Sequence, residues 1–499
     1  MLVNLIKIAA FVLAVGVLVC GEEQGLSQAP QDTSQNPNAA APQGGVQAAE
    51  RGPVHEAFAA PTAEPKPSPF VNKKPPANID EMPPEEKPAG DAVWISGYWH
   101  WDDEGNDYLW VSGCWRVKPP GKEWVPGYWR ESDDRWQWVA GFWANAQPSG
   151  QGQQAEPVTA ASAVTYYPEP PAPPAVAAPP PAPSPDMMYV PGAWVWYDGR
   201  YAWRAGYWID GRPGYVWVAS HYRWTPYGYV YIAGYWDLAI PNRGVLYAPV
   251  VINYGLVGPR FVYTPAYAVA DSILLTALFI RPAYCHYYFG CYYGPAYVGL
   301  GYESCFVYSR RHYEPIVAYQ VWTYRRDPTW LNVQINVTIA RNAGRAPLPE
   351  RVTIIQPARE VIVARGQTVV TVPAAARVRA MESARVAHAA AVEHRVQAER
   401  VAPGHTLTQP RQASAVRSAA PASHPVSTPV SHPVSPAANA PHAPNAPGAY
   451  KPSPFGSANK SSPATGPARP GTQSRPLPGR PPANTKPMPR RDPPHKDGH

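Results

Sequence analysis

The sequence lacks the short motifs that identify common enzyme sites. It contains no Gly-x-Ser-x-Gly, no phosphate-binding P-loop, no dinucleotide-binding glycine fingerprint and no His-Glu-x-x-His. A catalytic site needs a defined acid, base or nucleophile in a pocket, and the ionisable groups here have no recognisable spacing. We therefore predict a protein that is not an enzyme and that uses no cofactor. An unrecognised site within residues 239–340 is the enzymatic alternative.

Apolar runs long enough to cross a membrane are also missing. The chain begins with a single cation, Lys7, followed by the twelve-residue apolar run "IAAFVLAVGVLV" and then Cys20 and Gly21. This order and length are typical of an export signal over residues 1–21 and are short for a membrane span. We predict an exported protein of the periplasm, cell envelope or extracellular space. Cys20 is a candidate for lipidation, and cleavage after Gly21 is the alternative.

Cysteine is scarce, with five residues in 499. If Cys20 is removed or lipidated, an even number remains in an oxidising compartment, which allows two disulfides with three connectivities. A metal site at "CHYYFGC" is disfavoured because its spacing fits no common zinc pattern. We predict disulfides, or else free buried thiols, among Cys114, Cys285, Cys291 and Cys305.

Proline is abundant, at 66 residues, and its distribution divides the chain. Residues 22–89 are an acidic, Pro/Gln/Ala-rich region with too few bulky apolar groups to offset the entropy of ordering, and we predict a disordered tether. Residues 147–186 are a Pro/Ala-rich linker whose proline-rich part should favour extended polyproline II, and residues 403–499 are a basic, Pro/Ser/His-rich disordered tail. The formal charge of +7 is concentrated in the tail, so it does not indicate a nucleic-acid partner.

An aromatic repeat fills the regions between these segments. Eight units of the form Trp/Tyr-x-x-Gly-x-Trp begin at residues 94, 110, 124, 138, 189, 203, 217 and 231, with Tyr189 and Tyr231 as the first residue of two of them. Seventeen of the 19 tryptophans lie between residues 94 and 236. The repeat positions are Trp94, Gly97, Trp99, Trp110, Gly113, Trp115, Trp124, Gly127, Trp129, Trp138, Gly141, Trp143, Gly192, Trp194, Trp203, Gly206, Trp208, Trp217, Gly234 and Trp236. The seventh unit is degenerate, with Ser220 and Tyr222 in place of Gly and Trp.

A period of 14 residues suits one strand and a turn. We predict a mainly β fold of short tandem antiparallel meanders in two aromatic blocks, block one at 90–146 and block two at 187–238. The glycine of each unit is expected to form a bulge that returns the second tryptophan to the same face. An alternative places a tight turn at the glycine, which makes each unit two very short strands.

The remaining regions have weaker patterns. Residues 239–372 are rich in Tyr, Val and Gly, which predicts a β region with one short helix near 271–280. Residues 373–402 are rich in alanine, and we predict a helix that is solvated or forms a weak partner surface.

The tandem Tyr-x-Trp-x-x-Gly-x-Trp pattern resembles the YXWGXW repeat, also written WXXGXW, of exported bacterial proteins of uncharacterised function. The stretch "FIRPAYCHYYFGCYYGPAYVGLGY" at 279–302 resembles a region that follows these repeats in large members of that family. The resemblance implies no catalytic residue and no substrate.

Two roles for the tryptophans follow from their chemistry. Burying rings of about 150–250 Å² each compensates for the small size of a four-strand unit, which favours a core role. A row of rings on an open sheet face would instead form a stacking platform for sugars. We therefore predict a non-catalytic structural or interaction protein of the envelope. Binding of cell-wall polysaccharide or another glycan is the alternative; we expect no nucleic-acid partner and membrane contact only through the signal or a lipid anchor.

Overall fold

The computed structural model describes residues 45–62, 65–146, 164–174, 179–253, 261–348, 354–401 and 406–412. All of them lie within one compact unit, residues 1–420. The export signal with Cys20, most of the first half of the linker and the tail after residue 412 lie outside the described residues. In the part of the chain that the structure describes, no helix has both the length and the apolar character needed to cross a bilayer.

The eight repeat units fold into four β-hairpins, and each hairpin is built from two consecutive units. Hairpin 1 comprises Val93–Ile95, Tyr98–Asp102, Asp107–Val111 and Cys114–Arg116, and hairpin 2 comprises Lys122–Val125, Tyr128–Ser132, Arg135–Val139 and Phe142–Asn145. Hairpin 3 comprises Met187–Val190, Ala193–Tyr197, Arg200–Arg204 and Tyr207–Asp210, and hairpin 4 comprises Tyr215–Val218, His221–Trp224, Tyr229–Ile232 and Tyr235–Leu238.

Each unit therefore contains two short strands on either side of its glycine, but the chain does not reverse there. In hairpin 1, Trp94 pairs with Trp115 and Trp99 pairs with Trp110, so both halves of the first unit lie beside the second unit. The reversal occurs between units, at turn residues such as Asp133 and Asp134, which both have positive φ. The mainly β fold of short antiparallel sheets is confirmed, with the units joined in twos.

Further strands surround the hairpins. They are Val46–Ala48, Gly52–Pro53, Phe70–Val71, Asp80–Glu81, Glu86–Pro88, Thr165–Tyr167, Gly244–Leu246, Val250–Ile252, Val262–Tyr263, Tyr267–Val269, Leu278–Arg281, His286–Phe289, Glu303–Ser304, Ile355–Pro357, Val369–Thr371 and Arg411–Gln412. The sheet of Gly52–Pro53, His286–Phe289, Leu278–Arg281 and Glu303–Ser304 supplies the centre of the largest apolar core, which includes Phe58, Leu274 and Phe289.

Seven α-helices occur in the described residues, at Asp271–Thr276, Pro295–Gly299, Cys305–Tyr308, Pro315–Thr323, Trp330–Asn342, Ala358–Ala364 and Ala374–Ala398. Single 3₁₀ turns lie at Ile240–Asn242 and Pro282–Tyr284. The short helix predicted near 271–280 ends at Thr276, because Leu278–Arg281 joins the central sheet. Several of the helices therefore lie in the second part of residues 239–372. The Tyr/Val/Gly composition of this region did not indicate them.

The predicted disordered tether at 22–89 is wrong for the described residues from 45 onward. Val54, Ala57 and Phe58 have no exposed surface and belong to the largest core, and His55 and Glu56 are buried beside them. The segment is poor in apolar residues, but burying three of them against a sheet offsets the ordering of a short chain. Composition averaged over the whole region concealed this.

Two other segments predicted to be unstructured also pack. In the linker 147–186, Thr165–Tyr167 pairs with Tyr229–Ile232 of hairpin 4, and in the tail, Arg411–Gln412 pairs with Thr165–Tyr166. The alanine-rich helix is confirmed as Ala374–Ala398, but its end is not solvated. Arg395 there is 1% exposed and forms an ion pair with the buried Glu399.

Candidate functional site: the aromatic faces of the hairpins

Each hairpin contains two cross-strand ring pairs at its repeat positions, and hairpins 1 and 3 each have a third pair, Trp101–Tyr108 and Trp196–Tyr201. The rings of Trp94 and Trp115 have centroids 5.4 Å apart, and those of Trp99 and Trp110 are 5.2 Å apart in an edge-to-face arrangement. The equivalent pairs in the other hairpins are Trp124–Trp143, Trp129–Trp138, Tyr189–Trp208, Trp194–Trp203, Trp217–Trp236 and Tyr222–Tyr231. Edge-to-face pairs stabilise folded chains beyond the area that they bury. The repeat tryptophans therefore form cross-strand pairs that stabilise the folded hairpins.

The repeat glycines are required by close approach of a ring. A Cβ at Gly97 would lie 2.2 Å from the Val111 carbonyl oxygen and 2.8 Å from the Trp110 indole, and one at Gly127 would lie 2.4 Å from the indole of Trp138 and 2.8 Å from the Val139 carbonyl oxygen. The first tryptophan of each partner unit lies over the glycine in the same way at Gly113, Gly141, Gly192 and Gly234. None of these glycines has a positive φ. The predicted bulge and the alternative tight turn are both wrong, because the glycine makes room for an indole.

The narrow middle of a hairpin, where two units place their glycines opposite each other, is here named the waist. At the waist of hairpin 1, Glu81 accepts hydrogen bonds from the backbone N–H groups of Gly97 (3.1 Å) and Gly113 (3.0 Å) and from Trp110 Nε1 (3.2 Å). Burial raises the pKa of Glu81 to about 7, and the three donors oppose that rise only in part. A buried carboxyl therefore caps this waist.

The same arrangement recurs at the waist of hairpin 2. Glu56 accepts from Trp138 Nε1 at 3.0 Å and from the Gly141 N–H at 2.9 Å. Glu56 is 2% exposed and also lies 3.4 Å from His286 Nε2. Neither glutamate was identified from the sequence. A single Glu in a region whose composition predicts disorder does not reveal which backbone N–H groups it will contact.

In block two, the waist of hairpin 4 differs from the waists of block one. Trp217 covers Gly234 just as Trp110 covers Gly97, but the buried Trp217 Nε1 has no hydrogen-bond partner among the described residues. A buried N–H without a partner costs about 1–3 kcal/mol. The repeat thus provides a donor group at each waist, and the rest of the chain determines whether a carboxylate occupies it.

Two hairpins hold a Pro-Pro-Ala segment through the same pair of donors. In hairpin 1, Trp99 Nε1 donates to the carbonyl of Ala77 (3.0 Å) and Tyr108 Oη donates to the carbonyl of Lys73 (2.6 Å). The bound segment "KPPA" and the residue before it form neither helix nor strand.

In hairpin 3, Trp194 Nε1 donates to the carbonyl of Ala172 (3.2 Å) and Tyr201 Oη donates to the carbonyl of Pro168 (2.6 Å). The two accepting carbonyls are four residues apart in both hairpins, and the bound chain reads "PEPPA" here. We name residues 66–77 strap A and residues 165–174 strap B. Each strap follows a proline-rich course across one odd-numbered hairpin.

The straps also reach the even-numbered hairpins in an equivalent way. Phe70–Val71 of strap A pairs with Arg135–Val139 of hairpin 2, where Val71 lies opposite Trp136. Thr165–Tyr167 of strap B pairs with Tyr229–Ile232 of hairpin 4, where Tyr167 lies opposite Tyr229. Block one with strap A and block two with strap B are therefore two copies of one arrangement. The sequence repeat alone indicated the hairpin units and not the straps.

The four cysteines of the described residues form no disulfide, so the structure agrees with the second alternative, free thiols. Cys114, Cys285 and Cys305 are buried free thiols, and Cys291 is a half-buried one. Burial raises the pKa of Cys114 to about 12 and also raises the pKa of Cys285 and of Cys305. The even number of cysteines was misleading because these side chains fill apolar positions, as at Cys114 between Ile95 and Leu246. Cys20 lies outside the described residues.

Other polar groups are engaged in local contacts. Asp271 forms an ion pair with Arg365, and Glu303 forms one with Arg311. His55 is buried, donates from Nε2 to the Ser96 carbonyl and accepts the Ala57 N–H at Nδ1. Burial lowers the pKa of His55 to about 4, so this ring is neutral at pH 7. Among the described residues, no cluster of three His, Cys, Asp or Glu side chains is placed to hold a metal ion.

The hairpins define the class of this molecule: a protein of tandem aromatic β-hairpin repeats. The family model of the WXXGXW repeat matches residues 93–116, 124–144, 185–208 and 212–237, which are the four hairpins in turn, so this protein carries WXXGXW repeats. Each match covers two units, in agreement with the pairing of units in the structure. No curated protein and no solved structure matches the chain.

Proposed function

We propose that this protein is a non-catalytic structural or interaction protein, exported to the bacterial cell envelope, whose aromatic hairpins hold extended proline-rich chain. One observation carries the proposal: two hairpins in one molecule bind a Pro-Pro-Ala segment with the same tryptophan and tyrosine donors at the same carbonyl spacing. A contact geometry used twice on different sequence is a property of the hairpin face.

The chemistry of the face suits this ligand. Proline-rich chain has few N–H groups and leaves its backbone carbonyls free to accept hydrogen bonds. Grooves lined by aromatic rings recognise such chain by packing on the prolines and donating to the carbonyls. Trp194 and Tyr201 provide both parts, and Pro170 of strap B is half-buried between the two accepting positions.

A non-catalytic role is supported by the state of the ionisable groups. Glu81 and Glu56 are buried and accept from waist donors, and Asp271 and Glu303 are paired with arginines. His55 is neutral and fully buried. A general acid or base must reach a substrate, and each of these groups is already engaged by a hydrogen bond or an ion pair within the fold.

Binding of a labelled peptide with the sequence of residues 166–174 to the full chain tests the interaction role. We expect saturable binding that falls about tenfold in the double variant Trp194→Phe/Tyr201→Phe, which keeps an aromatic ring at both positions and removes both donors. Tyr197→Phe is the matched control, because Tyr197 is 72% exposed on the same hairpin. Equal binding by the double variant and the control would refute recognition by these donors.

Fractionation of cells that produce the full-length chain tests the export. We expect the protein outside the cytoplasm and expect deletion of residues 2–21 to retain it inside. Cys20→Ser distinguishes the two processing routes, since only a lipoprotein loses membrane association with this change. A chain with an unprocessed amino terminus that stays in the cytoplasm would contradict the proposed location.

Glycan binding is a second candidate, supported by ring exposure on hairpin 3. Tyr197 is 72% exposed and Trp203 is 38% exposed, whereas the corresponding block-one ring, Trp110, is 1% exposed. A glycan array with the full chain and with Trp203→Ala tests it. Polysaccharide binding that is lost in the variant would favour this role, and an absence of binding would eliminate it.

A further inference from the structure

Three of the four hairpins carry an added strand at the same place. This place is the outer edge of the strand that precedes the glycine of the second repeat unit. Hairpin 1 adds Val250–Ile252 beside Asp107–Val111, hairpin 2 adds Phe70–Val71 beside Arg135–Val139, and hairpin 4 adds Thr165–Tyr167 beside Tyr229–Ile232. All three added strands run antiparallel to the hairpin and come from separate parts of the chain. This edge is therefore a position that accepts an extended chain segment.

Hairpin 3 lacks such a strand within the described residues. Its equivalent strand, Arg200–Arg204, pairs there only with Ala193–Tyr197. Ala202 at the centre of the edge is half-buried, whereas Gln137 and Val230, at the equivalent positions of hairpins 2 and 4, are buried. Hairpin 3 thus has an open strand edge in the part of the chain that the structure describes.

The charges at this edge select the kind of strand that fits it. Arg200 and Arg204 lie at its two ends and are exposed, and neither has a carboxylate partner among the described residues. If two copies of the chain paired edge to edge about Ala202, Arg200 of one copy would face Arg204 of the other. Like charges directly opposite each other destabilise strand pairing. The edge therefore disfavours a second copy and favours a strand with acidic residues at both ends.

The occupied edge of hairpin 2 indicates what the middle of such a strand contains. Its added strand places Phe70 opposite Gln137. Arg135, which corresponds to Arg200, lies over the Phe70 ring at 4.3 Å from the ring centroid. The added strands of hairpins 1 and 4 read Val-Val-Ile and Thr-Tyr-Tyr, so all three consist of β-branched and aromatic residues. A strand of this kind on hairpin 3 would place an aromatic ring beside Arg200.

We propose that the edge Arg200–Arg204 of hairpin 3 binds an extended segment of a partner protein as an added antiparallel strand. The segment has β-branched or aromatic residues in its middle and acidic residues opposite the two arginines. Its backbone extends the hydrogen-bonded ladder, and its acidic groups pair with the arginines. This inference goes beyond the proposed binding of proline-rich chain, because it uses a strand edge and not the Trp194 and Tyr201 donors. Either proposal can fail without the other.

Fluorescence anisotropy of a labelled peptide with the full chain tests the edge. The probe is Ser-Glu-Thr-Phe-Val-Glu-Ser, which places one Glu opposite each arginine in the register that Phe70–Val71 has on hairpin 2. We expect saturable binding that weakens about tenfold in Arg200→Glu/Arg204→Glu. The matched control Arg326→Glu/Arg345→Glu makes the same charge change at exposed arginines outside the hairpins and should leave the affinity unchanged.

Two results of this titration would overturn the proposal. They are an absence of binding to the unaltered chain and equal binding by the variant and its control. A peptide with Lys in place of both Glu residues repeats the charge test on the unaltered chain, so the test stands even where a variant fails to fold. We expect this peptide to bind about tenfold more weakly or not at all.

N-methylation of the peptide tests the backbone ladder. In an antiparallel pair, alternate residues of the added strand direct their N–H groups toward the neighbouring strand. One peptide is methylated at alternate backbone nitrogens and a second peptide at the remaining ones. We expect one of them to lose binding and the other to retain it. Equal effects of the two methylation patterns would show that the segment does not bind as a strand.

Hydrogen exchange locates the bound peptide. We expect new protection of the amides of Arg200–Arg204 and none at Arg135–Val139, where the edge is already occupied. Protection at Arg135–Val139 alone would overturn the assignment to hairpin 3. Sedimentation of the full chain tests a second copy as the occupant. We expect no self-association that the peptide reverses, and such an association would overturn the acidic partner strand.

Discussion

Block one and block two have the same repeat, equivalent ring pairs and equivalent straps, but they differ in the chain segments that cover them. Hairpin 1 is extended on both of its halves, by Val250–Ile252 and by Gly244–Leu246. The strands of hairpin 3 pair only with each other among the described residues. Trp110 is accordingly 1% exposed and Trp203 is 38% exposed. The repeat determines the hairpin, and neighbouring chain determines whether its rings are core or surface.

The waists show the same difference. Glu81 and Glu56 cap both waists of block one, whereas Trp217 Nε1 in block two is buried without a partner. Each waist of block one therefore has a carboxyl acceptor, whereas the indole donor at the waist of hairpin 4 has no acceptor among the described residues. The predictions below test this contrast from the largest effect to the smallest.

Truncation of a tryptophan should separate the blocks most. Trp110→Ala removes a buried ring and should lower the free energy of unfolding by about 3–5 kcal/mol. Trp203→Ala should cost about half as much, because its ring is partly exposed. Denaturant unfolding of the full chain measures both. Equal losses would show that block two is as fully core as block one.

The waist of block one should make stability depend on pH. The pKa of Glu81 is about 7 in the folded chain and 4.5 when unfolded, so the folded state holds this proton between those values. The stabilisation is complete below pH 4.5 and is lost as the pH rises through about 7.

Comparison with Glu81→Gln isolates this effect, because the buried histidines are common to both proteins. We expect the wild-type free energy of unfolding, relative to the variant, to fall by about 3 kcal/mol between pH 4 and pH 8. Chemical unfolding at several pH values measures the difference. A constant difference would mean that the waist carboxyl does not titrate in this range.

Enlarging a waist glycine should cost more in block one. A Cβ at Gly127 meets the Trp138 ring at 2.4 Å and the Val139 carbonyl at 2.8 Å, and the ring is buried. We expect Gly127→Ala to cost about 2–3 kcal/mol. At Gly206 a Cβ would meet the Tyr189 hydroxyl and, at 2.8 Å, the Val190 carbonyl. The half-buried Tyr189 ring can move aside more easily than the buried Trp138 ring, so Gly206→Ala should cost less, about 1–2 kcal/mol.

Gly121→Asn serves as the control for the glycine series. This glycine has φ +69° with nothing near its Cβ position, and Asn tolerates that conformation. Thermal unfolding should show little change. A loss as large as that of Gly127→Ala would mean that any glycine change in block one is disruptive, independently of the indole.

A reducing agent should leave the stability of the protein unchanged, which is the smallest effect of this series. Block one contains the free thiol Cys114, block two contains no cysteine, and the other described cysteines are thiols. We expect thiol labelling of the mature protein to count four groups after unfolding, apart from Cys20, and to count at most Cys291 before it. Fewer thiols after unfolding would restore a disulfide.

Local chemistry made the hairpin units predictable. The turn residues Asp133, Asp134 and Gly199 mark reversals that the sequence places correctly, since each needs a positive φ. The alternative prediction, in which each unit forms two short strands, was closer to the structure than the prediction of one bulged strand. The pairing of units in twos was not predictable, because a 14-residue period fits any antiparallel arrangement of neighbouring units.

The positions of the repeat rings and of the small residue between them could be read from the sequence, because both recur within each repeat unit. Three features depend instead on contacts with distant segments of the chain: which rings are buried, which waists hold a carboxyl and which proline-rich segments are straps. Glu81 and Ala77 reach hairpin 1 through backbone and indole donors. Neither acceptor can be recognised in the sequence. The Ala77 acceptor is a backbone carbonyl, which every residue has, and the Glu81 acceptor is a single carboxylate with no motif around it.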